Sequence, residues 1–201
     1  MHVGERLNSI THLVGAVLSV AGLCALVTMS ALRGDPYKIV SLSVYGAMLC
    51  TLYVISTLYH SVRSPRLKAI LQKCDHSAIY LLIAGSYTPF TLVTLRGPWG
   101  WSLFGVSWGL AALGIAQELT LGRRTRIVSM TLYVLMGWLA LVAFHPLIHS
   151  LPAAGTAGLL AGGLIYSACI EFLVNDERIR HGHGIWHLFV LGGSLCQFVS
   201  V

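Results

Sequence analysis

Charge is what this sequence has least of. Only 10% of its residues are Asp, Glu, Lys or Arg, against roughly 25% in an ordinary soluble domain. That deficit excludes a soluble globular protein, and the 56% hydrophobic content excludes intrinsic disorder. The five cysteines are an odd number, and Cys24, Cys50, Cys169 and Cys196 lie inside apolar stretches without CxxC or Cys/His finger spacing. A disulfide scaffold is therefore excluded as well. The formal net charge of +6 raises the question of nucleic acid. The basic residues, however, sit in short loops between apolar blocks, which is how a membrane protein sets its orientation, and no nucleic-acid partner is expected. Long loops, internal repeats and low-complexity segments are also lacking, so residues 1–201 read as a single domain. A cleavable signal is not expected, because the first apolar span is too long and Glu5 and His12 interrupt the pattern.

What is present is a succession of long apolar blocks. A helix needs about 20 mostly apolar residues to cross a bilayer. Seven spans meet this: Ile10–Leu32, Ile39–Tyr59, Ser77–Leu95, Gly100–Gln117, Ile127–Phe144, Pro152–Val174 and Gly184–Val201. Turn-forming residues separate them at Gly34-Asp35-Pro36, Ser64-Pro65, Gly97-Pro98, Gly122-Arg123-Arg124, Leu151-Pro152 and Asn175-Asp176-Glu177. Only helices and closed barrels can span lipid. Barrel strands would alternate apolar and polar residues, and these blocks do not. The fold class is an all-α membrane protein with seven transmembrane helices. Ser86-Tyr87-Thr88-Pro89 predicts a kink in the third, with hydroxyls satisfying freed backbone groups.

The loops orient the bundle. The N-terminal tail and the second, fourth and sixth loops hold ten basic residues: Arg6, Arg63, Arg66, Lys68, Lys73, Arg123, Arg124, Arg126, Arg178 and Arg180. The other three loops hold three: Arg33, Lys38 and Arg96. The positive-inside rule then predicts a cytosolic N-terminus and an external C-terminus. Trp99 and Trp101 fit an aromatic belt at the outer face.

This topology gives every polar residue a depth. Ionisable groups within a span are costly and are functional candidates by default. Glu5, Asn8 and His12 begin the first span, Ser56 and His60 end the second, and Asp75 and His76 open the third. Glu118 closes the fourth, Glu171 nears the end of the sixth, and His183 and His187 open the seventh. All fall at the cytosolic side, whereas His145 and His149 close the fifth span on the outer face and are left out of the site. His183 and His187, at i and i+4, share a helix face and can hold one metal ion. His60 offers a third nitrogen at similar depth, and three histidines with an open fourth position are the pattern of a catalytic zinc site. Asp75 can bind the metal directly or hold and deprotonate a water, and Ser56 lies one turn from His60. The competing reading is that these histidines bridge helices by hydrogen bonding. Glu5, Asn8 and His12 recur on one face. They either support the metal ligands or form a solvated helix start capped by Asn8 or Ser9. Glu118 and Glu171 are expected to reach the interface or to pair with nearby arginines, and Gly85 and Gly114 to permit close helix packing.

Several of these motifs occur together in a known group. Glu5-x-x-Asn8-x-x-x-His12, Ser56-x-x-x-His60, Asp75-His76-Ser77-Ala78-Ile79-Tyr80 with Ala84-Gly85-Ser86-Tyr87-Thr88-Pro89, and His183-x-x-x-His187 resemble the hemolysin III family. That family lies within the progestin and adipoQ receptor (PAQR) group, related to the alkaline ceramidases. The resemblance covers essentially the whole chain. It implies a seven-helix fold in the cell (inner) membrane and zinc on His60, His183 and His187, with Asp75 acting through water and Ser56 nearby. It further implies a role in membrane lipid homeostasis. Membrane lipids are the expected partners. A protein hormone is not, because the outer connections Arg33–Lys38, Arg96–Trp99 and His145–Leu151 are short. Two functions follow: a zinc-dependent, ceramidase-like hydrolase of lipid amide or ester bonds at the cytosolic leaflet, or a non-enzymatic sensor or channel with a structural metal.

Overall fold

The structure is a computed structural model that describes residues 3–121, 126–176 and 178–201. The Gly122-Arg123-Arg124 break and Glu177 lie outside the described residues. Every regular element among the described residues is helical. The chain forms α1 (Arg6–Arg33), α2 (Pro36–Ser61), α3 (Pro65–Pro89), α4 (Pro98–Thr120), α5 (Arg126–Gly137), α6 (Phe144–Ser150), α7 (Ala153–Val174) and α8 (Gly182–Ser200). Taking α5 and α6 as one span leaves seven. Six of the seven, among the described residues, are long and apolar enough to cross a membrane. The exception is α8, whose His183, His187 and Gln197 lower its hydropathy.

Local chemistry explains the helix ends. Gly34 closes α1 in the left-handed conformation, with φ 68°, which costs glycine nothing. Asp35 then caps α2 by accepting from the Tyr37 N–H at 2.9 Å, and Pro36 fills the first helical position. Pro65 and Pro98 start α3 and α4 in the same way.

Two spans depart from the expected form. The third helix begins at Pro65, so Asp75 and His76 lie within it instead of opening it. Past Pro89 it widens into a π-helical turn, Phe90–Thr94, closed by Leu95 N–H donating to the Phe90 carbonyl at 2.8 Å. The fifth span breaks at Trp138, runs as a 3₁₀ segment over Leu139–Ala143, and resumes as α6. His145–Leu151, expected as a loop, is therefore mostly helical. Pro146 bears on the far end of this segment, since it has no N–H to give the Val142 carbonyl and its ring crowds that carbonyl. Tyr87 mends the break: its hydroxyl donates to the Gly137 carbonyl and accepts from the Ala140 N–H, both at 2.9 Å.

Burial is inverted relative to a soluble protein. The buried face of α1 is Asn8, Ser9, Thr11, His12, Gly15, Ala16, Ser19 and Ser30, while Ile10, Val14, Val17 and Leu18 are exposed. In lipid this is the favourable arrangement, with small and polar residues between helices and apolar ones outward. A Cβ on Gly15 would lie 2.6 Å from the Tyr53 ring, and one on Gly85 2.8 Å from Met48. One on Gly114 would overlap the Tyr80 ring. These close approaches bring the polar side chains of α1, α2, α3, α4 and α8 within reach of one another.

Candidate metal centre

Three imidazoles meet at one end of the bundle. His60 closes α2, while His183 and His187 occupy successive turns of α8. One ligand atom from each lies within 4.8 Å of the others. His60 and His187 are buried, at 3% and 0% exposure. His183 joins the helix because α8 starts at Gly182, directly after His181 in the left-handed conformation at φ 61°.

Each ring is held through Nδ1. His60 Nδ1 meets the Glu5 carboxylate at 2.5 Å, and His183 Nδ1 faces Asp176 at 3.5 Å. His187 Nδ1 reaches the Asn8 carbonyl at 3.1 Å, with the Thr11 hydroxyl at 3.3 Å. A proton on Nδ1 donated to those oxygens leaves the lone pair on Nε2. All three Nε2 atoms are buried without a hydrogen-bond partner among the described residues. An unpartnered buried polar atom costs about 1–3 kcal/mol. Three in one place cost roughly 3–9 kcal/mol, a large share of a total stability of about 5–15 kcal/mol. Helix-bridging histidines would spend these nitrogens on each other or on neighbouring hydroxyls, so the donor set fits a metal ion that accepts all three. Backing of each imidazole by a carboxylate or a carbonyl is the usual support of metal-binding histidines.

Glu5 stands at the centre of that support. It also takes Lys68 Nζ at 2.8 Å and the Asn8 amide at 3.0 Å. The His60 hydrogen bond, opposed by partial burial and aided by Lys68, holds its carboxyl well below the usual carboxylate range. It therefore stays ionised opposite Nδ1–H. Neither Asn8 nor Ser9 caps α1, whose first position follows Glu5 without a side-chain cap. His12 stacks on His187, with ring centroids 3.5 Å apart and planes at 12°.

Asp75 is 4% exposed and lines, with His60 and His183, a polar cavity of about 670 Å³. Ser56 is buried, with its hydroxyl beside the Asp75 carboxylate. An apolar cavity of about 160 Å³ adjoins, walled by residues such as Leu82, Ile83, Phe90 and Leu160. Asp75, Ile79, Tyr133, Leu173 and Trp186 line both, forming a neck between a polar chamber and an apolar one.

One acidic residue differs from expectation. Glu118 does not reach the interface: it is 3% exposed and binds His76 Nδ1 at 2.8 Å. Its match in depth to His76 was the available signal. Glu171, exposed near the end of α7 as expected, accepts from the Asn175 amide at 2.7 Å. Asp176 and Thr11, both adjoining the triad, were not singled out, because a loop aspartate and a helix threonine carry no distinctive spacing. His145 and His149 stack at 4.3 Å on a separate helix, outside the triad.

Residues 2–198 match the profile of the family described as "Haemolysin-III related". The chain is 45% identical over 197 residues to "Hemolysin-3" of Bacillus cereus, covering 98% of this chain and 90% of that protein. It is 42% identical to "Hemolysin-3 homolog" of Bacillus subtilis (strain 168), covering 98% and 92%. The human "Monocyte to macrophage differentiation factor" is 28% identical over 202 residues, covering 96% and 81%.

Proposed function

Since the chain belongs to the haemolysin-III related family, we propose that this multi-pass membrane protein holds zinc on His60, His183 and His187 and hydrolyses an amide or ester bond of a membrane lipid. The observation that carries this reading is the set of three buried, unpartnered Nε2 atoms, each backed by an oxygen on Nδ1. Three imidazoles suit zinc. Zinc bound there supplies Lewis acidity and acidifies water to around neutrality.

The remaining roles belong to the chain itself. The acyl chain occupies the apolar cavity, and its carbonyl lies at the neck, beside Asp75. Asp75 takes the proton of the attacking water as general base. The Ser56 hydroxyl donates to the carbonyl oxygen as charge gathers on it. Glu5, Asn8 and Thr11 fix the imidazoles, and His12 packs against His187. The cavity pair suits an amphiphile entering from the bilayer, so lipids are the partners and membrane lipid homeostasis is the role.

We place the chamber at the cytosolic leaflet, supported by the ten-to-three division of basic residues. Reporter fusions at Pro65, Pro98 and Ser150 should report inside, outside and outside; external labelling at Pro65 would reverse this placement.

The direct test is hydrolysis of ceramide-like amides and acyl esters by purified protein, joined to lipidomics of cells carrying wild type or His60→Ala. Accumulation of one acyl lipid in the variant, and its hydrolysis by the wild type, are expected. Unchanged lipids with no turnover, alongside bound zinc, would favour a sensor or channel with a structural metal.

A further inference from the structure

The inner end of the bundle holds a second polar cluster that the hydrolytic roles above leave unused. His76 on α3, Glu118 on α4 and Ser129 on α5 meet there. Glu118 is a carboxylate with 3% exposure on an otherwise apolar helix, a costly placement unless its charge is used. One oxygen takes His76 Nδ1 at 2.8 Å, and the other takes the Ser129 hydroxyl at 3.2 Å. The His76 backbone is fixed separately, its carbonyl accepting from the Tyr133 hydroxyl at 3.0 Å. Packing sets the register of α4 against α3: Gly114 admits the Tyr80 ring, and the Tyr80 hydroxyl donates to Gln117 at 3.3 Å. Glu118, the next residue, is thereby turned toward His76.

A carboxylate on Nδ1 orients an imidazole and directs Nε2 away from itself. His76, Glu118 and Ser129 all line the polar chamber, together with Asp75, His60 and His183. The side chain of His76 is 35% exposed, whereas its carboxylate partner is 4% exposed, so the ring is both supported and accessible. Two acid–base groups, Asp75 and His76, adjoin in sequence and open on the same chamber. Splitting an amide needs two proton transfers, one from the attacking water and one to the departing nitrogen, and the roles above assign only the first, to Asp75.

We propose that His76, positioned by Glu118, is the general acid that protonates the leaving group; this rests on the hydrolase reading. With the acyl chain in the apolar cavity and the carbonyl at the neck, the amine or alcohol half of the lipid points into the polar chamber, where His76 stands. The water oxygen bonds to the acyl carbon as Asp75 takes one of its protons. The C–N or C–O bond then breaks with its electron pair on the departing atom, and the Nε2 proton of protonated His76 completes the amine or alcohol. The proton on Asp75 returns to His76 through water in the chamber, so acid, amine or alcohol, and enzyme balance. His76 touches the leaving group, and Glu118 acts only through His76.

Leaving-group dependence tests this, because a merely structural role would not alter it. Hydrolysis of a long-chain N-acyl amino alcohol is compared with that of 4-nitrophenyl palmitate, whose phenolate departs without a proton. Wild type, His76→Gln and Glu118→Gln are assayed in lipid nanodiscs, with metal content and thermal unfolding measured alongside. His76→Gln should lose about 10²–10³-fold on the amide and under about threefold on the activated ester, at unchanged metal content. Glu118→Gln should show the same selectivity to a smaller degree. Equal losses on both substrates, or no loss on either, in an active protein would overturn the role of His76 alone. A wild type inert toward both substrates would overturn the hydrolase reading, and this role with it.

Discussion

Two pairs of histidines in this chain share one spacing and nothing else. His183 and His187 stand four residues apart on α8, and His145 and His149 four apart on α6. The α8 pair faces the bundle interior with both Nε2 atoms unpartnered, a third imidazole within 4.8 Å, and an oxygen behind each Nδ1. In the α6 pair, His149 Nδ1 is bonded to the His145 carbonyl at 2.9 Å, an exposed contact within its own helix, and both rings are open to the surroundings. No carboxylate backs either ring among the interactions of the described residues. The i, i+4 spacing only puts two rings on one face. Burial, a third ligand from another helix and support on the far nitrogen make such a face a candidate site.

The largest effect expected from breaking the α8 arrangement is chemical. Asp75→Asn should lower lipid hydrolysis by about 10²–10⁴-fold, since an amide cannot accept the proton of water, and leave metal content near wild type. A parallel fall of metal and melting temperature would instead make Asp75 a ligand. Next comes the support. Glu5→Gln removes the charge opposite His60 and should weaken metal affinity about 10–100-fold, measured by chelator competition. Among the described residues no carboxylate backs the α6 pair, so no substitution around His149 should alter that titration.

The sequence made the seven spans and the common depth of the polar residues legible, because length, apolarity and loop charge are properties of single segments. His60, His183 and His187 were legible for the same reason, each lying at the expected end of its helix. The break at Trp138 was not foreseen, because the run there is uniformly apolar and the group that satisfies the freed backbone, the Tyr87 hydroxyl, comes from another helix. Glu118 was misjudged because a glutamate near a helix end ordinarily finds water; only the approach of α3, set by Gly114 against Tyr80, buries it on His76. Asp176 was missed because its role depends on where a loop folds back over α8.

Smaller effects should follow helix packing behind the site. Tyr53 is 2% exposed and its hydroxyl donates to Ser194 at 2.7 Å, so its ring cannot move aside. Gly15→Ala should therefore destabilise the bundle by about 1–3 kcal/mol, read as a lower melting temperature in detergent. Gly105 meets nothing within 4 Å of an added Cβ. Gly105→Ala should instead stabilise by roughly 0.5–1 kcal/mol.

The most direct measurement is the zinc-to-protein ratio of purified wild type, His183→Ala/His187→Ala and His145→Ala/His149→Ala, each verified as folded. About one zinc per chain is expected in the wild type and in the α6 double variant, and almost none in the α8 double variant. Equal zinc in the two double variants would contradict the assignment of the metal to the α8 pair.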